Sequence, residues 1–308
     1  MIKILQKTGK DRGLHEWETL NEFQAGSWVW AQNPTEEEIT ELAERFSLEV
    51  GHLKDALDIH EVPRMETEET AHYVFARFPL RENGRVVTTP LLIVVGNDFL
   101  LTVCLRALPF FERFANGKIE FSTIQKTKLF IQIFAEIVAD YNHFVTEIGR
   151  KVRVSVDFDH IDNRDIVQFV LFESVLNDFI SSLLPTQAIL NNILSGRQLQ
   201  MLEEDQEPVE DLFLGIGQLV ERSKATLKTI VNIREAYSTI VANNLNRVIK
   251  LLTALTIVLT IPTMIASFYG MNVALPYSQS PLAFWGVIAG TIGISLAVLA
   301  IFARNRWL

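Results

Sequence analysis

The chain has 308 residues, 48% of them hydrophobic, and 37 Asp and Glu against 28 Lys and Arg, for a formal charge of −9. An acidic balance of this kind excludes nucleic-acid binding by phosphate neutralisation. The single cysteine, Cys104, excludes a disulfide framework and fits a small buried hydrophobe.

In chain order, Met1-Ile-Lys-Ile-Leu-Gln-Lys has no apolar h-region, so no cleavable leader is expected. Thr35 precedes three glutamates, Glu36 to Glu38, and then Ile39, Leu42, Ala43 and Phe46 at helical spacing. That is a helix start with acids in its first turn. Tyr73 to Leu80 and Val86 to Val95 read as strands around an Asn83-Gly84 turn, and Phe99 to Leu105 as a third strand. Residues 1–125 are therefore expected to form an α/β domain, whose strand order the sequence does not give.

From Lys126 the period changes. Leu129, Ile133, Ile137, Tyr141, Phe144, Val145 and Ile148 recur at helical spacing, and a second helical stretch covers Arg164 to Leu194. Residues 126–206 thus read as two long antiparallel helices, the second with Pro185 as a place for an interruption. The acidic run Glu203 to Asp211 reads as a connection, with Pro208 in the first turn of the next helix. After Gly217 no Gly or Pro occurs before Pro262, so one helix is expected from about Glu207 to Phe268. At 1.5 Å per residue it would be roughly 90 Å long.

Leu251 to Ala303 contains no Asp, Glu, Lys, Arg or His. A spanning helix needs roughly 20 apolar residues. Residues 248–268 supply one such segment and residues 282–303 another, joined by a short loop, 269–281, that holds Pro276 and Pro281. The alternative, a buried soluble hairpin, sits poorly with so long an uncharged stretch. Arg247 and Lys250 precede the first span, Arg304 and Arg306 follow the second, and the loop has no Lys or Arg, which places both termini in the cytoplasm, with 304–308 a basic tail. Phe268, Tyr269, Tyr277, Phe284 and Trp285 are expected at the outer interface and Phe302 and Trp307 at the inner one. The part before Arg247 holds all 37 acids and 24 of the bases, a charge of −13 that attracts cations. The fold class is an α+β membrane protein: an acidic cytosolic α/β domain, a long helical stalk continuous with the first span (207–268), and two C-terminal spans.

Within the long helix, Asn246, Ile249, Thr253, Thr256, Thr260, Thr263 and Ser267 follow one another at steps of three and four and share one narrow face. All but Ile249 are polar. Such hydroxyls can bond their own i−4 carbonyls or pack helices together. Alternatively, identical helices in a ring present them to a central pore for a hydrated cation, with Ile249 as an apolar constriction. One helix cannot enclose a pore, so this reading requires a cyclic homo-oligomer with the first span innermost. In the second span Gly286, Gly290, Gly293, Ala297 and Ala300 share a face suited to close helix packing.

The first span ends on Tyr269-Gly270-Met271-Asn272. Placed between two C-terminal spans, after an acidic α/β domain and a long stalk, this signature resembles that of the CorA family of divalent-cation transport proteins. Asp58-Ile59-His60-Glu61-Val62-Pro63-Arg64 also resembles the family's motif after an N-terminal helix. The resemblance implies a homopentameric funnel in the membrane lipid that imports Mg²⁺, often with Co²⁺ or Ni²⁺ accepted. It implies a selectivity ring of Gly270, Met271 and Asn272, an inner polar ring of Asn246, and Thr263 as a pore-lining residue. It also implies a regulatory Mg²⁺ between neighbouring cytosolic domains that favours the closed pore, with Asp55 and Asp211 at the corresponding places. Plain solvated surface charge is the alternative for those two. Neutral ring oxygens suit an ion that dehydrates reluctantly, and Met271, a soft thioether, is expected to pack and not to ligate. Gly270 is expected to let the backbone turn out of the helix. One departure is the outer loop, which lacks the acid that many members carry there.

Two other readings remain. One is transport of Zn²⁺ or another transition metal by the same fold, although the zinc-transporting relatives tend to have isoleucine where this chain has Met271. The other is a membrane-anchored, non-conducting sensor or scaffold. An enzyme is not expected: Walker A, nucleophile-elbow and HExxH motifs are all missing from the sequence. His52 and His60 flank Asp55 and Asp58, a grouping of interest only as a metal site.

Overall fold

Asn83 and Gly84 both adopt positive φ, 49° and 78°, as the two central residues of a tight hairpin turn whose twist matches that of its strands. The strands it joins, Ala71–Glu82 and Arg85–Gly96, pair antiparallel along their whole length, from Glu82↔Arg85 to Ala71↔Gly96. They are β5 and β6 of a seven-stranded sheet in a computed structural model that describes residues 1–7, 15–17, 23–154, 163–196, 199, 201–273 and 282–305. The other strands are β1 (Ile2–Gln6), β2 (His15–Trp17), β3 (Ser27–Gln32), β4 (Arg64–Thr67) and β7 (Phe99–Cys104). The order is β2-β1-β3-β7-β6-β5-β4. Among the described residues only β3 and β7 run parallel, in register from Ser27↔Phe99 to Gln32↔Cys104.

β7 is buried along its whole length and β6 from Thr88 onward, as expected of central strands covered on both faces. On one face Val29, Ala31, Tyr73, Phe75, Leu92, Val94, Leu101 and Val103 pack with α1 (Glu36–Phe46) and α2 (Val50–Asp55) through Ile39, Leu42, Phe46 and Leu53. The start of α1 carries a complete capping box: Thr35 Oγ1 accepts from the Glu38 amide and the Glu38 carboxylate accepts from the Thr35 amide. On the other face Trp28 meets Phe111 and Phe114 of α3 (Pro109–Ala115) and Phe121 beyond it.

Two long helices follow, α4 (Lys126–Val154) and α5 (Asn163–Leu194). Tyr141 meets Phe179, while Lys151, further along α4, lies over Phe172, earlier on α5, so the two run antiparallel. The interruption expected at Pro185 does not occur; α5 is continuous through it. The proline removes one N–H bond to the Ser181 carbonyl, but Ser181 is exposed to solvent. Buried Phe179, Leu183, Leu190 and Ile193 hold the helix on both sides.

An ion-pair cluster ties α4 to β5. The Glu147 carboxylate accepts from Lys151 Nζ at 2.8 Å and Arg81 Nη2 at 2.6 Å. The Lys151 hydrogen bond, ahead of that from Arg81, depresses its pKa to about 2. A depressed carboxylate stabilises the fold above its unfolded pKa and loses that contribution as pH falls toward the folded value. We therefore expect Glu147→Gln to lower stability by about 1–2 kcal/mol at neutral pH, allowing for solvent screening. The difference from the parent should vanish between pH 4.5 and 2, the window set by the two values. Urea titrations at stepped pH read this directly, and a pH-independent difference would refute it.

The acidic run from Glu203 to Asp211 is not a connection. It forms the opening turns of α6 (Glu203–Tyr269), a helix of 67 residues. Glu203, Glu204 and Asp205 lie in its first turn, where the helix dipole favours negative charge and extends the helix upstream of Pro208. α7 (Ala283–Arg304) is the last element. The chain divides into two compact units, Met1–Val231 and Asn232–Leu308. Among the described residues three helices are long and apolar enough to cross a membrane: α5 from Arg164, α6 and α7. α5 was not expected among them. It differs in that 28% of its most apolar stretch is buried within the protein, against 6% for α6 and none for α7.

Candidate functional site

α6 ends at Tyr269, and the signature forms its last turn: the Gly270 amide donates to the Ala266 carbonyl at 3.0 Å and the Ser267 carbonyl at 3.2 Å, and the Met271 amide to the Phe268 carbonyl at 3.3 Å. The chain leaves the helix at Gly270, and it does so without a positive φ there. A Cβ there would lie 3.3 Å from the Ala266 carbonyl oxygen, a tight contact with the last turn of the helix itself. Met271 and Asn272 are exposed, next to the negative end of the helix dipole. The outer loop with Pro276, Tyr277 and Pro281 lies outside the described residues, as do Arg306 and Trp307.

Asn246, Ile249, Thr253, Thr256, Thr260, Thr263 and Ser267 all fall on α6, and all seven are exposed in the single chain. Their spacing on one unbroken helix puts them on one face. Three of the hydroxyls are committed: Thr256, Thr260 and Thr263 Oγ1 donate to the carbonyls of Leu252, Thr256 and Leu259 at 2.7–2.8 Å. A hydroxyl has one proton and two lone pairs. With its proton held inside the helix, each of these threonines offers only acceptor capacity outward. On α7 a Cβ added at Gly286, Gly290 or Gly293 would meet nothing within 4 Å, so this face is open in the single chain.

Asp55 is the last residue of α2, with its side chain 45% exposed; Asp211 is exposed on α6. Asp55 belongs to a carboxylate cluster around one cation. Arg64 donates through Nη2 to Asp55 Oδ2 at 2.8 Å, through Nε to Glu66 Oε1 at 2.6 Å and through Nη1 to Glu61 Oε1. Its guanidinium lies 3.9 Å from the Phe75 ring centroid. The Arg64 hydrogen bond holds the Glu66 carboxyl below the usual range, and His52 Nε2 approaches the other Glu66 oxygen at 3.3 Å. Arg77, half-buried on β5, fixes the loop before Arg64 by donating to the Ile59 and Glu61 carbonyls at 2.9 and 2.7 Å. Among the described residues no three His, Cys, Asp or Glu side chains converge to hold a metal ion, so His52, Asp55, Asp58 and His60 form no such group. Neither Arg64 nor Arg77 was given a role in the sequence reading. The signal for Arg64 was its place at the end of the quoted Asp58–Arg64 motif, six residues after an acid.

A family model described as CorA-like Mg²⁺ transporter protein matches residues 23–304. The chain belongs to the CorA family. It is 26% identical over 294 residues to the cobalt/magnesium transport protein CorA of Methanocaldococcus jannaschii, covering 91% of each chain. It is 29% identical over 129 residues to the magnesium transport protein CorA of Yersinia pseudotuberculosis, 41% of this chain and 40% of that one. Its fold matches the complete structure of the CorA magnesium transporter from M. jannaschii with a TM-score of 0.87 at 23% identity, over 100% of this chain and 99% of that one.

Proposed function

We propose that this CorA-family chain carries Mg²⁺, with Co²⁺ and Ni²⁺ as accepted alternatives, across the cytoplasmic membrane through a homopentameric pore. α6 and α7 are its two spans, α6 lines the pore, and both termini face the cytoplasm. The observation that carries this reading is the exposed polar face of α6, on which Thr256, Thr260 and Thr263 turn lone pairs and no protons outward. The waters around Mg²⁺ point their hydrogens outward, and the acceptor oxygens at these three positions receive them without stripping the shell, which this ion surrenders reluctantly. A simple anchor has no use for such a face.

Gly270, Met271 and Asn272 form the outer ring. There the Asn272 amide oxygens and the negative ends of five helix dipoles gather cations in place of an acid in the loop. Ile249 provides an apolar constriction and Asn246 the inner polar ring. Asp55 and Asp211 supply hard carboxylate oxygens for a regulatory Mg²⁺ that favours the closed arrangement. The donor chemistry fits Mg²⁺, and because the described carboxylates of one chain do not complete a site, this ion is shared with a second protomer. The test is flux into liposomes containing the purified protein, with native mass determination beside it. Mg²⁺ uptake by a pentamer supports the reading. Uptake of Zn²⁺ in place of Mg²⁺ moves the chain to the zinc branch, and a folded protein that passes no divalent cation overturns transport.

A further inference from the structure

Pro262 lies inside α6, which runs on unbroken to Tyr269. Proline has no N–H, so the Val258 carbonyl one turn earlier receives no α-helical hydrogen bond and sits beneath the proline ring. The hydroxyl next in sequence does not serve it, because Thr263 Oγ1 donates to the Leu259 carbonyl at 2.8 Å. In hydrocarbon no solvent takes that place. Membrane helices tolerate a proline because neighbouring helices, Ser and Thr side chains, ordered waters or local adjustments of the helix satisfy the freed group. Val258 and Pro262 line a groove of about 450 Å³ together with Ser295 of α7, within the compact unit Asn232–Leu308. Ser295 Oγ is buried and has no hydrogen-bond partner among the described residues. Thr256, Thr260, Thr263 and Thr291, by contrast, each donate to the carbonyl one turn back. One groove therefore holds an acceptor without its donor and a donor without an acceptor. The rest of its lining, Thr291 apart, is apolar.

We infer that this groove is a binding site for one water molecule, which joins the Ser295 hydroxyl of α7 to the Val258 carbonyl that Pro262 leaves open on α6. The inference rests on the reading of α6 and α7 as membrane spans and adds what connects them inside the bilayer. Ser295 Oγ makes no direct bond, and a water bridges polar groups that stand too far apart for one. The water accepts from Ser295 Oγ and donates to the Val258 carbonyl. Its second proton goes to a lone pair of Thr291 Oγ1, whose own proton is held by the Val287 carbonyl at 2.7 Å. Three hydrogen bonds are the usual complement of a buried water. Helices bend most readily at proline. The bridge lets α6 bend there, beside Thr263 of the polar face, without turning the open carbonyl toward lipid.

The test uses the full-length protein in lipid nanodiscs. Ser295→Ala should lower its thermal-unfolding midpoint by about 2–6 °C, the size of one buried carbonyl left unsatisfied, although alanine is the better helix former. Pro262→Ala restores the N–H and satisfies the Val258 carbonyl within α6. In that background the same Ser295→Ala change should cost less than about 1 °C, because the two sites are coupled through one bridge. Equal losses in the two backgrounds, or no loss in the parent, overturn the bridge. X-ray radiolysis, which oxidises side chains beside a bound water, gives a second readout that does not depend on Pro262→Ala folding. Pro262 and Leu299, both on the groove, should be marked in the parent and unmarked in Ser295→Ala. Marks of equal strength in both proteins, or none in the parent, overturn the water site. Alkaline carbonate extraction separates this from the reading beneath it. A parent retained in the membrane pellet keeps the two spans whatever becomes of the water, and a parent released into the supernatant overturns the spans and the water site together.

Discussion

Asn272→Ala is expected to reduce Mg²⁺ flux about 100-fold or more while leaving the protein folded and assembled. Asn272 is exposed immediately beyond the last turn of α6 and makes no contact that the fold depends on among the described residues. Its amide oxygen is the acceptor proposed to hold the hydrated ion at the outer ring. A homopentamer carries the substitution five times. At about 0.5–1.5 kcal/mol for each lost hydrogen bond, the loss sums to several kcal/mol on a passing ion. Flux into liposomes, compared at equal pentamer content, measures it. Parental flux in the folded mutant would place selection elsewhere on the α6 face, with Asn246 as the next position to change.

The second large effect is on stability. Trp28 is fully buried in β3, in edge-on or tilted contact with Phe111, Phe114 and Phe121 at centroid distances of 5.3–5.9 Å. Its Nε1 donates to Thr102 Oγ1 at 3.1 Å, across the parallel β3–β7 pair, and Thr102 in turn donates to the Val29 carbonyl. Trp28→Ala leaves a cavity the size of an indole at a place where sheet and helices meet. It should cost about 3–5 kcal/mol. Trp28→Phe keeps most of the volume and loses the hydrogen bond, and should cost about 1–2 kcal/mol. Denaturant titration of the two proteins separates packing from hydrogen bonding, and equal losses would mean that the bond and not the ring stack carries the stability.

Local signals in the sequence were good guides where the physics is local. Asn83-Gly84 announced a turn because two consecutive positive φ values suit few other residues, and the turn then fixed the β5–β6 register. Thr35 followed by Glu38 announced a helix start because the capping box closes within four residues. The order β2-β1-β3-β7-β6-β5-β4 was not legible, since its central parallel pair joins residues as far apart as Trp28 and Thr102, separated by 74 positions. No short-range periodicity reports that pairing. β1 through β4 were not read as strands, and Pro185 was given too much weight because tertiary packing outvoted its local penalty. At the candidate site, the stripe on α6 was legible because helical spacing alone defines a face. The Arg64 cluster was not: it draws one ligand from the end of α2, one from the loop and one from β4, and only the folded backbone brings them together.

The parallel β3–β7 pair has a consequence for how the sheet comes into being. β4 through β7 form an antiparallel meander of neighbouring strands, each closed by a short connection, and local closures cost little chain entropy. β3 pairs with β7, some 70 positions later, while β1 docks on β3 and β2 on β1. The N-terminal strands therefore join the meander only through the long closure between β3 and β7. Slow, non-local closure of this kind dominates the folding barrier in sheets with high contact order. The cross-strand bond from Trp28 to Thr102 is the latch that completes it.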